Sequence, residues 1–153
     1  MLWHELTLLA TLCLGSGVDE ARAVFNEVEA AVTSRAFSIE TLPDCADEFA
    51  ELEVARDATG RVRRLLHSFG SEDSSQRATS YYDAGGRLRF LFVKVGAVPS
   101  AWVEARWWFD RRGKRIKRAR RSGGEGPTYY AHQPEPYLVS DPAAFIAART
   151  TCR

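Results

Sequence analysis

The chain has 153 residues, which fits one domain with its own hydrophobic core and leaves little room for a second. Hydrophobic residues make up 45% of the sequence and charged residues 27%, an ordinary globular composition that excludes a largely disordered chain. The formal net charge is +1, so total charge points to no particular class of partner.

The first 17 residues have the features of a secretory leader. Residues 6–14 are apolar apart from two threonines, and Gly15, Ser16 and Gly17 follow as small residues for a signal peptidase. This apolar run is too short to span a bilayer. Because residues 1–5 lack Lys and Arg, a buried N-terminal helix is the alternative. We expect a periplasmic or secreted protein with residues 1–17 as the signal peptide, 18–153 as a single domain, and no membrane span.

Two other leader signals are present. The motif Ala21-Arg22-Ala23 is a second candidate cleavage site, farther from the apolar run. Cys13 follows Leu12, where a lipoprotein signal has a small residue, and this argues against lipid attachment. We favour cleavage at Gly17.

The remaining cysteines are Cys45 and Cys152. An even pair in an exported chain predicts a disulfide, and this one would close a loop of roughly a hundred residues. Two free thiols in a cytosolic protein are the alternative.

A turn motif, Asp-x-x-Gly followed by a basic residue, occurs three times. It is found at residues 57–61, 83–87 and 110–114. Asp at the start of a type I turn caps the turn backbone, and the glycine takes the left-handed position that follows. The motif therefore predicts three β-hairpins, with Gly60, Gly86 and Gly113 in left-handed conformations.

The flanking segments alternate between apolar and polar residues, or are apolar throughout, as strands do. They predict a six-stranded antiparallel meander from residues 50 to 121. Helical patterns flank it at residues 18–35, after the capping box Ser16-x-x-Asp19, and at residues 142–149, after the N-cap Asp141. We predict an α+β fold, in which the N-terminal helix packs on one face of the sheet and the short C-terminal helix is tied back by Cys152.

The second hairpin, Tyr81-Tyr82-Asp83-Ala84-Gly85-Gly86-Arg87-Leu88, resembles the YD repeat of Rhs-type proteins, whose core is Tyr-Asp-x-x-Gly-Arg-Leu. The resemblance covers about ten residues here, with weaker echoes in the other two hairpins. It implies the hairpin shape alone, because three copies spaced by 26 and 27 residues cannot build the long shells of that family.

Charge is unevenly distributed along the chain. Residues 18–60 carry 11 acidic and 3 basic side chains, whereas residues 61–121 carry 16 basic and 5 acidic ones. Eight Arg or Lys lie within residues 111–121. Strict alternation puts Arg111, Arg115, Lys117 and Arg121 on one face of a strand, and Arg112, Lys114, Ile116, Arg118 and Arg120 on the other. Burial does not permit unpaired charge on both faces, so we predict an edge strand that is solvated on both sides.

This segment has two interpretations. Its cations could bind an anionic polymer, with Trp102, Trp107 and Trp108 as possible stacking rings. The candidate binding residues are Arg112, Arg115, Lys117, Arg118, Arg120, Arg121 and Trp108. Alternatively, the charges only prevent edge-to-edge aggregation.

Catalytic signals are sparse. No Gly-x-Ser-x-Gly, His-Glu-x-x-His or phosphate-loop motif is present, and no cofactor or metal is expected. His67 lies in a predicted strand as a structural residue, and Asp44, Asp47, Glu48 and Glu51 form a predicted solvated loop. We therefore predict a non-enzymatic exported binding module of the inhibitor, immunity or envelope-associated kind, with an unknown protein as its partner. A binder of anionic polymer and a small hydrolase using acidic residues are the alternatives.

Overall fold

The structure, a computed structural model, describes residues 16–127 and 132–152. It opens with helix α1, Gly17–Thr33, in which the backbone N–H of Asp19 donates to the side chain of Ser16 at 3.2 Å. This confirms the predicted N-cap. Residues 1–15 of the predicted leader, including Cys13, lie outside the described residues, and cleavage after Gly17 would remove the cap.

Seven strands follow α1 and form one antiparallel sheet whose spatial order is the order of the chain. Their bounds are β1 Ser38–Pro43, β2 Glu51–Arg56, β3 Val62–Gly70, β4 Ser74–Tyr82, β5 Leu88–Ala97, β6 Ala101–Phe109 and β7 Arg115–Gly123. The meander is thus confirmed, but the predicted count of six strands is wrong by one. The missing strand is β1, at the edge beside β2; five of its six residues are exposed, so it shows no clear apolar alternation.

The three Asp-x-x-Gly motifs join β2 to β3, β4 to β5 and β6 to β7. In the middle turn Asp83 Oδ1 accepts from the N–H groups of Gly85 and Arg87, both at 3.0 Å, and the N–H of Gly86 donates to the Asp83 carbonyl at 2.9 Å. The φ angles of Gly60, Gly86 and Gly113 are 83°, 85° and 81°. A one-residue register shift adjoins each turn. The bulged hairpins and their left-handed glycines are as predicted.

Replacing Gly86 by Ala should lower the free energy of unfolding by about 1–2 kcal/mol, because an L-residue is strained at this φ. A methyl group at Gly86 would contact nothing within 4 Å, so crowding contributes nothing to the loss. Gly86→Asn is the matched control: Asn tolerates the left-handed region, so urea unfolding should show a smaller loss. Equal losses in the two variants would contradict the conformational explanation.

The sheet has a core on each face. On one face α1 buries Ala21, Val24 and Val28 against a cluster that includes Phe90 and Trp108. The opposite face carries the larger core around Trp107. It is covered by the C-terminal segment, which consists of a 3-10 turn, Glu135–Tyr137, and helix α2, Pro142–Thr150.

The C-terminal segment is fastened in two ways. The hydroxyl of Tyr82 donates to the Val139 carbonyl at 2.6 Å. The cysteines Cys45 and Cys152 form a disulfide, with a Cα–Cα distance of 5.2 Å. This confirms the predicted bridge. Within residues 16–127 and 132–152, no helix is long and apolar enough to cross a membrane.

Candidate functional site: the basic edge

The basic segment forms the turn before β7 and the strand itself, which is an edge of the sheet. We name its cations the basic edge: Arg112, Arg115, Lys117, Arg118, Arg120 and Arg121. Most of them are exposed, and Arg120 is half-buried. The predicted edge strand is therefore present, with one side of its backbone unpaired within the described residues.

Cations project from both faces of β7. Lys117 lies opposite Trp108 on the α1 face, whereas Arg118 lies opposite Trp107 on the other face. The predicted alternation is wrong at the start of the strand, because the bulge makes Arg115 the partner of Phe109. Ile116 is the extra residue; its side chain lies against Gly17 of α1 instead of pointing with Arg118.

Acidic residues of α1 pair with arginines outside the basic edge, and Glu20 also reaches Arg111 in the turn before β7 at 3.1 Å. Ion pairs join Glu27 to Arg63 at 2.8 Å, Glu29 to Arg64 at 2.9 Å and Glu20 to Arg89 at 3.4 Å. All three arginines belong to β3 or β5, and their side chains are at most 12% exposed. Part of the acidic excess of the N-terminal third is thus neutralised by buried arginines of the sheet.

The basic edge keeps much of its charge. Arg121 pairs with Glu104 at 2.6 Å. Within the described part of the chain, no carboxylate lies within ion-pairing distance of Arg112, Arg115, Lys117 or Arg118. The edge therefore presents a row of solvated cations that can contact an anionic partner.

The three candidate stacking rings differ in their accessibility, and the choice of Trp108 as a binding residue is wrong because it is buried. Trp108, predicted to assist binding, is 7% exposed beneath α1, and the Lys117 ammonium lies 5.1 Å from its ring centroid. Trp102 is 43% exposed. Its ring lies against Gly123 of β7, where an added Cβ would come within 2.8 Å of the indole nitrogen. The exposed aromatic ring beside the basic edge is thus Trp102.

A second polar cluster lies on the opposite face, beneath the C-terminal segment. The Asp44 carboxylate is fully buried; its Oδ2 is 3.1 Å from His67 Nε2 and accepts from Arg149 Nη1 at 3.0 Å. The Asp44 Oδ1 accepts from the Ala46 N–H at 2.9 Å. The expectation that Asp44 belongs to a solvated loop is wrong, because β3 and α2 both supply partners that enclose it.

Burial sets the protonation of this cluster. Burial lowers the pKa of His67 below 6.5, and the hydrogen bond to Asp44 only partly opposes this. Burial alone would raise the pKa of Asp44, but the Ala46 amide, His67 and Arg149 together hold it below 3.8. At neutral pH the cluster therefore holds a neutral imidazole beside a carboxylate and a guanidinium.

A cavity of about 190 Å³ adjoins the cluster, lined in part by His67, Phe69, Tyr137 and Arg149. Because its polar groups already satisfy one another, we assign the cluster a structural role as a clamp between β3, the loop after β1, and α2. Among residues 16–127 and 132–152, no three His, Cys, Asp or Glu side chains converge as a metal site.

This clamp was not predicted, although the sequence contains a signal for it in the positions of Asp44 and Arg149 beside the two cysteines. Asp44 precedes Cys45, and Arg149 lies three positions before Cys152, so the predicted disulfide already brings the two charges together.

No family model matches the sequence, and neither the curated proteins nor the solved structures contain a significant match to it. The resemblance of residues 81–88 to the YD repeat stays a prediction.

Proposed function

We propose that the protein is an exported, non-enzymatic binding module that recognises an anionic polymer through the basic edge. The observation that carries the proposal is the unpaired charge of Arg112, Arg115, Lys117 and Arg118, which remains after α1 has neutralised the central arginines. A polymer lying along β7 would release its condensed counterions to solution, and this release is the main driving force for such binding.

The geometry of the edge favours a ligand that is long and flexible or that lies along the rim of the sheet. Lys117 and Arg118 point to opposite faces, so one flat partner on one face of the sheet reaches only part of the charge. Arg side chains offer paired donors to phosphate and sulfate oxygens, which suits a polymer with closely spaced anions.

Export is part of the same proposal. The Cys45–Cys152 disulfide supports export, because disulfides persist in oxidising compartments and are rare in cytosolic proteins. Outside the cytoplasm, anionic polymers of the cell surface are accessible to a basic edge.

The test is binding of double-stranded DNA and of heparin, used as probe polymers, by the oxidised protein over a range of salt concentrations. Replacing Arg115 and Arg118 by Gln should reduce the slope of log affinity against log salt for DNA by about two, since each lost phosphate contact removes about 0.9. Thermal unfolding should be nearly unchanged, because both side chains are exposed.

The matched control is Arg35→Gln with Arg77→Gln, which removes the same charge from exposed positions outside β7. If the control weakens binding as much as the β7 variant, net charge rather than the basic edge is responsible. If neither polymer binds at low salt, the edge serves only to prevent aggregation and the proposal fails.

A further inference from the structure

A separate cavity of about 320 Å³ opens beside α1, on the face of the sheet away from the C-terminal segment. Phe90, Phe92 and Trp108 line its sheet side, and Phe25 of α1 forms one wall. We name this cavity the aromatic groove. Its volume is at the lower end of the range in which proteins bind small molecules.

The aromatic rings of the groove pack against one another. Phe25 and Phe90 contact edge-on with centroids 5.4 Å apart, and the centroids of Phe90 and Trp108 are 5.2 Å apart. A ligand would therefore meet an apolar surface that is already formed, with little ordering cost on binding.

Two cations flank this apolar surface. The Arg106 guanidinium carbon is 4.3 Å from the centroid of Phe92, and Arg22 reaches the groove from α1. Within residues 16–127 and 132–152, Arg22 has no carboxylate in ion-pairing range.

The counter-charge at Arg106 is shared. Arg106 pairs with Glu104 at 3.1 Å, but the same carboxylate also pairs with Arg121 at 2.6 Å and Lys94 at 3.7 Å. One carboxylate for three cations leaves the mouth of the groove positively charged. A neutral or cationic ligand would not neutralise this positive charge.

We propose that the aromatic groove binds a monocarboxylate with an apolar chain, of the fatty-acid type. The carboxylate lies between Arg22 and Arg106, and the chain lies along Phe25, Phe90 and Phe92. This site is distinct from the basic edge, and the proposal stands whether or not the edge binds a polymer.

The experiment is titration calorimetry of the oxidised protein with hexanoate, octanoate and decanoate, together with the corresponding alcohols. Each added methylene should raise the affinity about fourfold until the groove is filled. The alcohol of equal length should bind about tenfold more weakly than the acid, because it lacks the charge-assisted contact with arginine.

Variants separate this site from the basic edge. Arg106→Gln and, independently, Arg22→Gln should each weaken octanoate binding about tenfold while leaving DNA binding nearly unchanged. Arg115→Gln with Arg118→Gln should do the reverse. Because Arg22 is exposed, its variant tests the groove even if Arg106→Gln impairs folding. Absence of octanoate binding, equal affinity for acid and alcohol, or indifference to both arginine variants would overturn the proposal.

Discussion

Replacing Cys45 and Cys152 together by Ser should lower the free energy of unfolding by about 4–5 kcal/mol. The bridge joins residues 107 positions apart, so it restricts most of the unfolded chain, and the loss follows from the loop-closure entropy that is regained when the bridge is absent. Urea unfolding of the oxidised protein and of the double variant would measure the difference. A loss of this size is a large fraction of the stability of an ordinary domain.

The wild-type protein supplies the control for this prediction. Reduction with dithiothreitol should give the same loss as the double variant, because both remove one covalent bond. The bridge fixes the end of α2, and beside it the Cys45 N–H donates to the Arg149 carbonyl at 2.7 Å. Loss of the bridge should therefore increase hydrogen exchange first in α2. Equal urea midpoints for the oxidised wild type and the double variant would contradict a stabilising bridge.

The three hairpins were predictable because their chemistry is local. Each turn is specified by an Asp that caps nearby N–H groups and a Gly that takes a positive φ, and both requirements lie within five residues of sequence. The disulfide was predictable for another reason, since only two cysteines remain after the predicted leader.

Other features depend on contacts that no local pattern specifies. Strand β1 lies at the edge of the sheet beside β2 and is mostly exposed. Because it has no buried face, its sequence has no alternating apolar residues. The bulge at Ile116 reverses the predicted facing of Arg115, because strict alternation assumes a regular strand. The aromatic groove is formed by α1, β5 and β6, and only their packing places Arg22 and Arg106 at the same cavity.

The basic edge was predictable from the sequence only in part. Its charge and its edge position follow from residues 111–121 alone, since burial of so many cations is prohibitive. Whether that charge is neutralised depends on α1. Its Glu20 reaches Arg111 at 3.1 Å, but Glu27 and Glu29 pair with the central arginines Arg63 and Arg64 instead. The availability of the basic edge is thus a property of the fold.

Replacing Asp44 by Asn should lower the free energy of unfolding by about 3 kcal/mol. Asn preserves the shape of the side chain but removes the charge that Arg149 and His67 contact at about 3 Å. Loss of one partner from a buried ion pair costs more than the pair contributes, because the other charge is left in place. The expected loss of stability is at the lower end for such pairs, because the Arg149 side chain is 36% exposed and water solvates part of its charge. Asp47→Asn is the matched control in urea unfolding. It should cost about 1 kcal/mol or less, because the Asp47 carboxylate caps the Phe49 N–H and makes no ion pair among the described residues.

The pH dependence of stability provides a second measurement on the same cluster. The folded state holds the pKa of His67 below 6.5, so the unfolded chain takes up a proton first as the pH falls from about 8 to 5. Stability is therefore complete above pH 6.5 and declines as the pH falls toward the lowered pKa of the folded state. Asp44 adds a second decline below pH 3.8, because its own pKa is also lowered. Asp44→Asn should make this second decline smaller without removing it, because the pKa values of Asp57, Glu104 and Asp110 are lowered as well. The variant should keep the first decline, since Asp44 opposes the lowering of the His67 pKa. A stability that stays constant from about pH 8 to 5 in the wild type would show that His67 is not enclosed as the structure places it.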